Sequence, residues 1–139
     1  MLIAAIVGTR VFRAGGVPSN ELQAKIVYTS IGMQRPSVLD QEASGLVKEQ
    51  FQLNAWGTGY EPGKSSATLG AVIQQRYADG GINGFRGDIT YTDDDSVNHT
   101  LTVRQLRITD VRDLLVSPWD ADQKGADGIS IDIEMTYRE

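Results

Sequence analysis

The sequence predicts an α+β domain, in which a mainly antiparallel β-sheet carries one principal helix on one face and a short helix opens the chain. Three observations lead there. The last stretch alternates strictly, with Ile129, Ile131, Ile133, Met135 and Tyr137 on one side and Ser130, Asp132, Glu134 and Thr136 on the other. That period of two, with one polar face, belongs to a sheet covered on one side only. A second segment, Leu69, Val72, Ile73 and Tyr77, has the spacing of an amphipathic helix. Between these, several runs rich in β-branched and aromatic residues are bounded by turn formers.

Taken in order, Leu2, Ile3, Ile6 and Val7 are spaced for a short helix that Gly8 would stop. Thr9 to Phe12 fits a short extended piece, and Gly15, Gly16, Pro18, Ser19 and Asn20 mark a loop. Ala24 to Ile31 is expected as a strand because Ile26, Val27, Tyr28, Thr29 and Ile31 favour the pleated backbone. Residues 32–45 are polar and irregular, with Pro36 inside them. A loop of that length points to a function or a subunit contact.

Val47 to Trp56 is the next strand, with Phe51, Leu53 and Ala55 on one face and Gln52, Asn54 and Trp56 on the other. Ser65 or Ser66 can cap the principal helix, whose end is expected at Gly80 and Gly81. Asp88 to Thr92 and Thr100 to Ile108 are expected to pair as a hairpin around the acidic turn Asp93, Asp94, Asp95 and Ser96. The apolar phase slips by one residue near Arg104 and Gln105, which a β-bulge would produce. Val111 to Val116 continues extended, and residues 117–128 form a polar loop before the last strand.

Composition narrows the function. The chain has 139 residues, 40% hydrophobic and 22% charged. That is one globular domain able to bury about two-thirds of its unfolded surface. It has no cysteine, so disulfides and thiolate chemistry are excluded; assembly in a reducing cytoplasm is compatible with this. The apolar opening, Met1 to Val7, is too short for a signal peptide or a membrane span. A net charge of −5 disfavours general nucleic-acid binding, which depends on a basic face.

No chemical motif completes itself. His99 is the sole histidine. A nucleophilic triad would need it beside a nucleophile and an orienting carboxylate, and Ser96 and Asp95 are close in sequence. In a hairpin turn, however, those side chains splay into solvent, so an ordinary surface histidine is expected. Asp120, Asp122 and Gly125 begin a calcium-loop pattern, but Lys124 and Ile131 stand where oxygen ligands belong. Gly57 and Gly59 lack the third glycine of a phosphate loop. No catalytic, cofactor or metal residue is expected. Trp56 and Trp119 are instead interface candidates, because tryptophan is enriched at binding hot spots.

The order of segments resembles the tail completion, or tail terminator, proteins of long-tailed bacteriophages, the head-to-tail joining type. The residues that carry the resemblance are Val7-Gly8-Thr9-Arg10-Val11-Phe12, Ile26-Val27-Tyr28-Thr29-Ser30-Ile31, and the run from Gly45 to Trp56. They continue with Gly84-Phe85-Arg86-Gly87, Val111-Arg112-Asp113-Leu114 and the closing Tyr137-Arg138-Glu139. The chain departs from that pattern in a shorter amino-terminal helix, in Ala24 and Lys25 where a proline is usual, and in an extended turn from Asp93 to Asn98.

The resemblance implies a virion protein, assembled in the host cytoplasm, that forms a hexameric ring on the head-proximal end of the tail tube. Its partners would be further copies of itself, the tail tube protein and a head completion or connector protein. DNA would pass through the lumen without specific binding. Carboxylates repel the DNA backbone, so Asp93, Asp94 and Asp95, or Asp120 and Asp122, are candidates for the lumen or an interface. A neck adaptor ring on the head side, a ligand-binding module outside the virion, and an enzyme using His99 are the alternatives.

Overall fold

The computed structural model describes residues 10–17, 24–35, 45–58, 65–75, 81–114 and 126–138. They form one six-stranded sheet and one helix. The strands are β1 (Val11–Arg13), β2 (Lys25–Gln34), β3 (Leu46–Thr58), β4 (Gly87–Thr92), β5 (Asn98–Leu114) and β6 (Ala126–Arg138). Their order across the sheet is β1-β2-β3-β6-β5-β4. The helix, α1, is Ser66–Gln74. The expected helix at the amino terminus lies outside the described residues, as do Tyr77, Trp119, Asp120 and Asp122.

The sheet is mixed. β1 runs parallel to β2, and every other pairing is antiparallel. β2 continues three residues beyond the expected Ile31, through a register shift between Ser30 and Gly32. The expected slip at Arg104 is present as a register shift between Val103 and Gln105. A second shift, between Ile108 and Asp110, lets β5 run on without a break to Leu114. The segment from Val111 is therefore the end of one 17-residue strand. Two bulges in one strand bend it and increase its twist, which keeps so long a strand paired with β6.

Ser65 caps α1: its backbone is extended, and its hydroxyl accepts from the Thr68 amide at 3.2 Å. Leu69 and Ile73, fully buried, and the nearly buried Val72 turn toward the sheet. The helix stops at Gln74, well before Gly80, because Gln75 leaves the helical conformation (φ −57°, ψ 121°). The Ile82 amide then donates to the Ile73 carbonyl, returning the chain to the helix end. Close approach of helix and sheet depends on Gly70, where a β-carbon would lie 3.0 Å from Ile129 Cδ1.

The core lies between α1 and the odd-numbered side chains of β3 and β6. Ala55, Val47, Ile131, Ile133 and Tyr137 are buried there beside Ile26, Val103 and Leu106. The alternation predicted for β6 is present on this side. Its polar side departs from expectation, because Ser130 is 0% and Glu134 only 7% exposed.

Candidate assembly surfaces

Two parts of the sheet carry functional potential: a hairpin that overhangs the edge, and the polar face opposite the helix. The hairpin follows from register. Thr102 is the last residue of β5 to face β6, where it pairs with Arg138. Among the described residues, 98–101 of β5 pair with β4 alone. The two-stranded end therefore projects past the rest of the sheet as an arm, with Ile89, Tyr91 and Val97 exposed along it. An isolated two-stranded ribbon is marginal in water, so local contacts must hold it.

Asp93 supplies those contacts. Its Oδ1 accepts from the amides of Asp95 and Val97, each at 2.9 Å. Its Oδ2 lies 2.7 Å from His99 Nε2. The hydrogen bond with His99, then the one from Val97, hold the Asp93 carboxyl below its ordinary pKa of 3.8. Ser96 takes the left-handed conformation (φ 63°) that closes the turn. Tyr91 stacks on His99, its partner across the hairpin, with ring centroids 5.2 Å apart. Cross-strand threonines add to the ribbon, as Thr92 donates to Asn98 Oδ1 at 2.8 Å and Thr102 to Asp88 Oδ1 at 2.8 Å.

The sequence-predicted acidic turn thus divides into two kinds of residue. Asp93 is committed to the turn, whereas Asp94 and Asp95 are exposed at the tip. His99 meets Asp93 rather than Asp95, and Ser96 serves the backbone turn.

On the polar face, Glu134 is enclosed by two cations. Arg107, directly opposite on β5, approaches Glu134 Oε1 with its NH2 group at 2.7 Å and Nε at 3.0 Å. Lys48 Nζ lies 3.4 Å from Oε2. Burial pushes the Glu134 carboxyl up, but the Lys48 hydrogen bond, the charge of Arg107 and their companion interactions outweigh it, and the net displacement is downward. Farther along, Arg112 joins Asp132 at 2.9 Å and Asp110 at 2.7 Å. Nothing in the alternation of β6 distinguishes Glu134 from Asp132. Only the strand order, which sets β3 and β5 on either side of β6, brings the cations together.

Two side-chain atoms on this face, Asn54 Oδ1 and Ser130 Oγ, are buried without a hydrogen-bond partner. They belong to residues directly opposite each other on β3 and β6. Trp56 lies on the same face, half-buried, against Gly128. Its indole covers β6 within its own chain. Among the described residues, no group of three or more His, Asp or Glu could hold a metal ion, and no helix is long and apolar enough to cross a membrane.

No family model and no curated protein matches the chain.

Proposed function

We propose that this chain is a structural virion protein, one subunit of a hexameric ring at the head-proximal end of a phage tail tube. In this role it ends tube polymerisation and joins the tail to the head connector, while DNA passes through the ring without specific binding. It performs no chemical reaction. The order of segments from Val7 to Glu139 supports the family, and the overhanging arm is the observation that carries the role. An ordered ribbon with Ile89, Tyr91 and Val97 exposed along it is suited to meeting a neighbour.

Strand edges are the other support. An open edge leaves amides and carbonyls unpaired, and a neighbouring chain can satisfy them by strand addition. β4 and β1 form the two outer edges of this sheet. The segment after α1 protects part of β5, where the Gly84 amide donates to Leu106 O at 2.8 Å and Ile108 N to Asn83 Oδ1 at 3.2 Å. β4 itself has no strand on its outer side among the described residues. Of the acidic candidates, we assign Asp94 and Asp95 to a subunit interface rather than to the lumen.

The test is location. Mass spectrometry of purified particles, followed by antibody labelling in the electron microscope, should place the chain at the junction of head and tail. Absence from particles would overturn the structural role, and label retained on isolated heads would move the protein to a head-side adaptor ring.

A further inference from the structure

The backbone of β4 is set for a partner. The Asp93 amide donates to the Val97 carbonyl, and Tyr91, Ile89 and Gly87 stand opposite His99, Leu101 and Val103 with no register shift. In an antiparallel ladder, residues that exchange hydrogen bonds alternate with residues that do not. Counting back from Asp93, Tyr91 and Ile89 turn their amides and carbonyls toward β5. Those of Asp88, Thr90 and Thr92 therefore point away from the sheet. Residues 88–92 are all exposed, and an edge of this kind takes up a further strand.

Side chains and charge favour a second arm as that strand. Ile89 and Tyr91 share a face of the ribbon with Leu101 and Val103. Leu101 packs on the core, whereas Ile89 and Tyr91 are exposed, Tyr91 at 46%. The arm, residues 87–101, contains Asp88, Asp93, Asp94 and Asp95 and no lysine or arginine. At its root stands Arg86, which is exposed and joins no carboxylate among the described residues. Two arms laid antiparallel bring each acidic tip to the other's root. A parallel arrangement would bring the tips together, and like charges repel.

The outward backbone groups then select the register. Overlap of 88–92 in both copies sets Thr90 against Thr90 of the second copy, and Asp88 against Thr92. Ile89 stands opposite Tyr91 twice, in the closer, non-hydrogen-bonded positions, and Asp94 comes abreast of Arg86.

We propose that two copies of this chain pair through β4, antiparallel about a two-fold axis at Thr90, with Ile89 against Tyr91 and Asp94 against Arg86 on each side of the axis. The same patch serves both copies, so the contact stops at two. It differs from the head-to-tail contacts of a ring, and it withholds the arm from a ring neighbour while the pair lasts. The pairing rests on the arm alone and does not depend on the ring reading.

Because the chain has no cysteine, one introduced thiol reports the axis. Thr90→Cys should give a covalent dimer on oxidation with diamide, since residues paired in this way have Cα atoms about 5.5 Å apart, within disulfide reach. Thr100→Cys lies one strand inward, opposite Thr90. Its counterpart in the dimer is three strand spacings away, roughly 14 Å, so it should not cross-link. Sedimentation velocity of the full chain should show a wild-type dimer and a monomer for Thr90→Pro, which removes an outward amide and no β4–β5 bond. R86E and D94R should each weaken the dimer more than about ten-fold, and R86E/D94R should restore it, because the exchanged charges meet again across the axis. Melting curves matching wild type establish that each variant folds. A wild type that stays monomeric at every concentration would overturn the pairing. So would a Thr90→Cys chain that cross-links no faster than Thr100→Cys, or a dimer indifferent to Thr90→Pro, R86E and D94R.

Discussion

Gly128 of β6 sits directly opposite Trp56 of β3, and the indole fills the space that a side chain at position 128 would need. A β-carbon there would lie 2.8 Å from Cε3 and Cζ3 of Trp56 and 3.0 Å from Leu114 Cδ1. An aromatic ring folded over a cross-strand glycine supplies contacts that the glycine lacks, and it shields the backbone of the strand.

Gly128→Ala should therefore destabilise the fold by about 1–3 kcal/mol, the usual cost of overpacking a tight site. Trp56→Leu in the same chain should recover part of that loss by making room. Urea unfolding of the two single variants and the double variant measures the coupling between them. Additive losses would mean that the ring and the glycine do not share this space.

Breaking the ion pair at Glu134 and replacing it should have different consequences. Arg107→Leu leaves a buried carboxylate with Lys48 alone and should cost about 1–3 kcal/mol, the lower end of a broken buried pair because Arg107 is half exposed. Replacing both, as Arg107→Leu with Glu134→Leu, should recover much of it. A chemical denaturation series would reveal the asymmetry.

Ser130→Ala removes a buried hydroxyl that has no partner. The expected change is neutral or stabilising by up to about 1 kcal/mol, because no hydrogen bond is lost and an unsolvated polar atom disappears. A loss larger than that on thermal unfolding would point to a partner for this hydroxyl.

The arm should loosen in acid before the sheet does. The Asp93 pKa is depressed in the folded chain. Its contribution is then fully present above the ordinary value of 3.8 and is lost as pH falls through the lower folded value. Asp93→Asn should reproduce the loosened arm at neutral pH. Amide hydrogen exchange of residues 95–99 reads both effects, and protection of these amides unchanged by either acid or the substitution would contradict this role for Asp93.

Much of the sheet was legible in sequence because its signals are local. Strict alternation in 129–137, the phase slip at Arg104 and the acidic turn each betray their structure within a few residues. The end of α1 was not legible. Gly80 and Gly81 are obvious stops, yet the chain leaves the helix at Gln75, where the Ile82 amide comes back to Ile73, a contact set by tertiary structure. The parallel pairing of β1 was hidden because three residues carry no usable period.

The same division runs through the candidate surfaces. Asp93, Asp94 and Asp95 were visible as a cluster, but the commitment of Asp93 to the turn depends on hydrogen bonds that spacing does not reveal. Trp56 was a reasonable hot-spot candidate from its place on a polar face; its position over Gly128 required knowing that β3 and β6 are neighbours.

Deletion of the gene, followed by electron microscopy of the infected-cell products, bears on the terminator role without relying on any single contact. The expected result is filled heads beside unattached tails of irregular and excessive length, since nothing then stops the tube. Intact, infectious particles would contradict the role outright, and empty heads with free tails of normal length would place the protein on the head side of the junction.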